Sequence, residues 1–194
     1  MLPGDRLAAF LISVSFAAGL NLYATVATLG LLARFELVAL PPGLESAANP
    51  WVIGVAAVLF AVEFIADKIP VFDLVWNALQ TFVRIPAAAL MSYAATSHLA
   101  PHWQIAAAVA GAAVAFAAHG GKTAARAAVT TSPEPVSNFV LSTAEDVFTI
   151  FVTWFATRHP FIAAGIVLTI TAVLVLFVRF VVRALRAMFR SRVY

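Results

Sequence analysis

From Phe161 to Val178 the chain carries no charged side chain. Wound as an α-helix rising about 1.5 Å per residue, such a stretch reaches most or all of the way across a hydrocarbon layer about 30 Å thick. Comparable apolar runs fill most of the sequence, each closed by polar or helix-breaking punctuation. The first covers roughly Leu7 to Ala33, with a polar middle at Gly19, Asn21 and Thr25, and ends at Arg34, Glu36 and Pro41-Pro42-Gly43. The second runs from Trp51 to about Ala66, the third from near Lys68 to near Thr96, and the fourth from Trp103 to about His119, where Gly120-Gly121 breaks it. The fifth runs from about Pro133 to Thr157 and the sixth from Phe161 into an arginine-rich tail over residues 179–194.

Helices are the only open elements that satisfy their own backbone in lipid, and barrel strands would alternate in polarity. The reading is therefore an all-α integral membrane bundle of about six transmembrane helices, forming one domain over residues 1–194. Composition agrees: 63% of residues are hydrophobic and 11% charged, against about a quarter charged in soluble domains. The apolar run after Met1–Arg6 is too long for a signal-peptide core and is read as a retained first span.

The net charge of +3 is concentrated at one end. Of twelve basic residues, Arg179, Arg183, Arg186, Arg190 and Arg192 lie in the tail. Arg183, Arg186 and Arg190 recur at helical spacing and read as an anchor against anionic lipid headgroups. No basic face interleaved with aromatics suggests nucleic acid. With six crossings, Arg6, Lys68, Lys122, Arg126 and the tail fall on one side, and Arg34 and Arg158 on the other. The positive-inside rule then places both termini in the cytoplasm.

Two segments resemble each other at a constant offset of 65 residues. Asp67, Pro70, Val71, Asp73, Asn77 and Gln80 align with Ser132, Pro135, Val136, Asn138, Ser142 and Glu145. The repeating unit is a helical hairpin, spans two and three against spans four and five, with both copies in the same orientation.

Asp73, Asn77, Gln80 and Arg84 are spaced by four, three and four residues, which on a helix is one face. Asn138, Ser142, Glu145 and Thr149 repeat that spacing. Arg84 needs a partner inside the membrane, and Glu145 or Asp146 is the expected one. The two stripes are either a polar path for an ion or small solute or interhelical glue. Glu63, Asp67 and His119 suggest a cation or proton site; the competing readings are a helix cap for Asp67, a solvated loop for Glu63 and an interfacial histidine for His119. Asn21 beside Gly19 marks either a broken first helix or a close helix crossing.

There is no cysteine, which excludes disulfides and thiolate chemistry. No nucleophile elbow, phosphate loop, zinc-binding helix or dinucleotide fingerprint occurs. No cofactor and no enzymatic activity are expected.

Gly19-Leu20-Asn21-Leu22-Tyr23, Glu63 to Pro70 with Asp73, His119 with Lys122 and Arg126, and Ser132-Pro133-Glu134-Pro135-Val136-Ser137-Asn138 with Glu145-Asp146 together resemble a bacterial multi-pass membrane family catalogued as a domain of unknown function (number 4126). The resemblance implies a multi-pass protein of a bacterial inner membrane and carries no activity with it. The expected function is a small transporter or channel for an ion or small polar solute, working between spans three and five. The alternatives are a structural or assembly subunit of a membrane complex and a protein that handles lipid headgroups. The expected partners are the bilayer, anionic lipids at the tail, and further copies or a larger complex.

Overall fold

The computed structural model describes residues 3–130 and 135–190. Seven α-helices account for nearly all of it: α1 (Gly4–Leu20), α2 (Leu22–Arg34), α3 (Pro50–Ala66), α4 (Pro70–Ala95), α5 (Pro101–Thr130), α6 (Pro135–Arg158) and α7 (Pro160–Arg190). A short 3-10 turn, Glu45–Ala48, lies between α2 and α3. No strand occurs among the described residues.

Five helices, α3 to α7, begin at a proline. Proline fits the first helical position because its fixed φ suits the helix and its missing N–H would be unpaired there anyway. Two asparagines cap starts: the side chain of Asn49 accepts from Trp51 N–H at 2.8 Å, and that of Asn21 from Ala24 N–H at 2.9 Å.

The first apolar run does not form one span. Asn21 adopts extended backbone (φ −150°, ψ 102°), which ends α1 and starts α2. The chain then turns back on itself: Leu29 of α2 packs in the same cluster as Leu7, Phe10, Leu11 and Val14 of α1. Arg6 shares a pocket with the residues that follow α2, Leu37 to Pro41. In a straight helix Phe10 and Leu29 would stand almost 30 Å apart. The run is a re-entrant hairpin whose two ends lie at one face of the bundle.

That face also holds the α4–α5 turn, since Gly4 and Leu7 line a groove with Thr96, Leu99 and Trp103. Arg158 and Pro160, which end α6 and start α7, lie there too. α7 leaves this face and runs beyond the tip of the hairpin: Val167 packs on Phe16 and Leu20, and Leu174 on Gly121. The start of α1 and the end of α7 therefore lie at opposite faces. The expectation of both termini on one side counts the first run as a crossing, and the break at Asn21 leaves it unsupported.

Gly120-Gly121 does not end a helix either. α5 continues through it to Thr130. A Cβ at Gly121 would stand 2.5 Å from Leu174 Cδ1, so this glycine permits a close approach of α7.

Burial is inverted relative to a water-soluble protein. Trp51 is 83% exposed and Phe82 80%, whereas Glu63, Asp67 and Arg84 are fully buried. Among the described residues three segments are long and apolar enough to cross a membrane: Pro101–Ala125, Phe139–Arg158 and Pro160–Phe177. Leu22–Arg34 and Pro50–Ala66 are shorter apolar helices. The chain is thus an all-helical protein with the features of a membrane protein.

Candidate functional site

The tip of the re-entrant hairpin is where the charge gathers. A helix end leaves its last carbonyls without intrahelical partners and carries a partial negative charge. At the end of α1 two cations meet that need. Arg84 Nη1 donates to Gly19 O at 3.3 Å, and Lys122 Nζ donates to Leu20 O at 3.2 Å. The start of α2, with its partial positive charge, faces an anion: Asn21 Nδ2 donates to Asp146 Oδ1 at 2.9 Å.

Both cations also reach carboxylates. Arg84 Nη2 donates to Glu63 Oε1, and neither side chain has any exposure. Lys122 Nζ lies 3.0 Å from Asp67 Oδ2, 3.7 Å from Glu63 Oε1 and 3.6 Å from Glu145 Oε2. One ammonium with three protons is thus surrounded by four oxygens drawn from α1, the end of α3 and α6. Of these groups only Glu145 keeps exposure on its side chain, 13%.

His119 bridges the cluster to α4. Arg84 Nη1 stands 3.1 Å from its Nδ1, and Thr81 Oγ1 2.8 Å from its Nε2. A guanidinium only donates, so Nδ1 accepts. Thr81 also contacts Asn77 O at 3.1 Å, an acceptor, so the hydroxyl donates there and accepts from Nε2–H. The donors thus run in one direction, from Arg84 through His119 and Thr81 to the Asn77 carbonyl, with the imidazole neutral.

The remaining stripe residues sit around this centre. Gln80 Nε2 donates to the Tyr23 hydroxyl of α2 at 3.0 Å. Lys68 Nζ donates to Phe64 O at 2.9 Å and approaches Ser142 Oγ at 3.5 Å, with the Phe64 ring 3.1 Å below it. Asn77 is buried. The side chains of Asp73, Asn138, Arg186 and Arg190 lie outside the described residues, and Arg183 is exposed.

The structure therefore brings Glu63, Asp67, Arg84, His119 and Glu145 into one cluster, with Gln80 and Ser142 at its edges. Two expectations are corrected. Arg84 pairs with Glu63 rather than Glu145 or Asp146, and among the described residues α4 and α6 scarcely touch. The reason is the same in both cases: the α1–α2 hairpin packs against α4 and α6 and fills the space between them. The proposed cation ligands are also engaged by cations of the chain itself, since Arg84 stands between Glu63 and His119. Among the described residues no three His, Asp or Glu side chains converge to hold a metal ion.

Ending the fourth run at Gly120-Gly121 leaves Lys122 beyond it, in a helical or interfacial connection, whereas the structure keeps it within α5. Its spacing of three from His119 was the available signal, for that places both on one face of a continuous α5. The carbonyls of Gly19 and Leu20 carry no side-chain signature at all.

A family model described as Domain of unknown function (DUF4126) matches residues 8–180. No curated protein and no solved structure matches the chain.

Proposed function

The chain belongs to the DUF4126 family, and from that premise we propose that it is a small membrane transporter passing a cation or small polar solute by way of the α1–α2 tip. The observation that carries this reading is the helix break at Asn21, whose freed carbonyls at Gly19 and Leu20 meet Arg84 and Lys122. Unwound backbone at membrane depth is tolerated only where it is buried in protein or lines a cavity. Transporters use such half-helix ends to hold ions and charged groups near the midplane. Ionisable side chains are expensive there and by default mark a pathway.

The cluster as described is closed, with Glu63, Arg84 and Lys122 wholly buried. Lys122 has alternative partners on α3 and α6, so a small shift between those helices exchanges one ion pair for another. Glu145, Ser142 and Lys68 mark the way out, toward the face where α7 ends. The positive-inside rule places that face, with its arginines, in the cytoplasm of a bacterial inner membrane. Five helices, α3 to α7, then cross, and the α1–α2 hairpin enters from the opposite side. The hairpins α3–α4 and α5–α6 run in the same sense, in keeping with an internal repeat.

A second reading has its own support. Arg84 and Lys122 both find carboxylates within the chain, as a sealed core of a structural or assembly subunit would require. One experiment separates the two. The chain has no cysteine, so single cysteines at Asn77, Gln80, Ser142 and Glu145 can be probed in intact membranes with an impermeant thiol reagent. Labelling that extends from Ser142 and Glu145 to Gln80 supports a water path. Protection at all four positions under every condition removes the transport reading and leaves the assembly one.

A further inference from the structure

Two arginines converge at the face where α1 begins and α6 ends. Arg6 and Arg158 line one pocket of about 340 Å³ together with Phe10, Leu40 and Pro41. Both also line the adjoining hollow of about 240 Å³, which opens onto His159, Phe161 and Ile162. Both side chains are exposed. Among the described residues neither guanidinium has a carboxylate within 4.0 Å. The nearest acid in sequence, Asp5, accepts from the backbone N–H of Arg6 at 2.9 Å.

Two like charges sharing a pocket repel unless an anion lies between them. The planar fork of a guanidinium matches phosphate oxygens bidentately, which makes paired arginines a phosphate-binding arrangement. The first turn of α7 opens on the same hollow. The first paired N–H at its start is that of Ala163, to O of His159 just before the helix, so the amides of Phe161 and Ile162 precede the helical ladder.

The surroundings identify the source of the phosphate. The pocket floor is apolar, and beside it the outer surface of α6 and α7 presents Trp154 (43% exposed), Phe161 (52%) and Ile162 (57%). A free phosphate has no use for that border, whereas acyl chains do. We propose that Arg6 and Arg158 bind the phosphate of an anionic phospholipid at the face opposite the end of α7, with its chains lying along the apolar outer surface of α6 and α7. The arginines of the C-terminal tail serve the other leaflet, so the two sites are independent.

The test is native mass spectrometry of the purified full-length protein, titrated with phosphatidylglycerol or phosphatidylcholine. The wild type is expected to retain phosphatidylglycerol preferentially. R6Q/R158Q is expected to bind it about tenfold more weakly, the single variants falling between, since charge-assisted contacts are lost. R34Q, at an exposed position that lines neither hollow, removes the same charge and is expected to leave this binding unchanged. The single variants R6Q and R158Q, both at exposed positions, decide the matter if the double variant is not recovered folded. Undiminished phosphatidylglycerol binding in these variants overturns the proposal. Displacement of the lipid by glycerol 3-phosphate at matching concentration also overturns it, because the site then takes free phosphate.

Discussion

Arg84 and Glu63 form an ion pair shut away from solvent, although 21 residues of chain separate them. Taking two charges out of water costs several kcal/mol per ion, and the pair recovers this only while both members are present. The pair joins α4 to the end of α3 and holds Arg84 where its second nitrogen reaches Gly19 O.

Removing one partner is therefore expected to cost more than removing both. Glu63→Gln or Arg84→Gln alone is expected to destabilise the protein by about 3–5 kcal/mol, the usual cost of an orphaned buried charge. Glu63→Gln with Arg84→Gln is expected to recover a large part of that loss. Thermal unfolding in detergent, followed by fluorescence-detected size exclusion, gives the comparison. Strictly additive losses would show that the two side chains are not coupled.

Gly19 sits where α1 crosses α5. A Cβ there would lie 2.5 Å from Ala115 O and 2.9 Å from Ala118 Cβ. Backbone cannot move aside as a flexible side chain does. Gly19→Ala is expected to cost about 1–3 kcal/mol through overpacking. It also displaces the carbonyl that receives Arg84, so transport should fall along with the melting temperature. Gly54, which has open space around its missing Cβ, supplies the control: Gly54→Ala should leave both measurements near wild type.

Asn21 does two things at once, capping α2 through Ala24 N–H and donating to Asp146. Asn21→Ala loses the cap, about 1 kcal/mol, and leaves a buried carboxylate oxygen without its donor, about 1–3 kcal/mol more. Asn21→Ser, which keeps an N-cap oxygen but is too short to keep the second bond, should fall between the two. Equal stability of the serine variant and the wild type would mean that the bond to Asp146 contributes nothing.

Glu145 tests the transport reading with little structural cost. It is the partly exposed member of the cluster, and Lys122 keeps Asp67 at 3.0 Å without it. Glu145→Gln is expected to lower solute flux in proteoliposomes at least tenfold, with a stability change within about 1 kcal/mol. Unchanged flux would remove Glu145 from the pathway.

The opposite placement of the two ends is checked by labelling. A cysteine replacing Arg6 and one replacing Arg183 are expected to react with an impermeant reagent from opposite sides of sealed vesicles. Reaction from the same side would restore the six-crossing topology.

The polar stripes were legible because helical spacing is a local property. Asn77, Gln80 and Arg84 announce one face of α4 without knowledge of the fold. Glu63, Asp67 and His119 stood out because charge and imidazole are rare in apolar runs. The pairing between stripes was not legible, since it depends on what lies between α4 and α6. That element, the re-entrant hairpin, was half legible: Asn21 beside Gly19 offered a broken first helix, which the structure bears out, but a continuous apolar run has the same composition whether it crosses the membrane or turns there. Gly120-Gly121 misled for a related reason. Glycine marks a helix end in one context and a tight helix crossing in another, and only Leu174, more than fifty residues later, decides which.

The break at Asn21 has a consequence for biogenesis. The hairpin leaves the ribosome before Arg84, Lys122 and Asp146, on which its tip depends. Until α6 has been made, the bare carbonyls of Gly19 and Leu20 and the amide of Asn21 lack their full set of partners. The hairpin therefore reaches its final seat only after the helices that enclose its tip have been made.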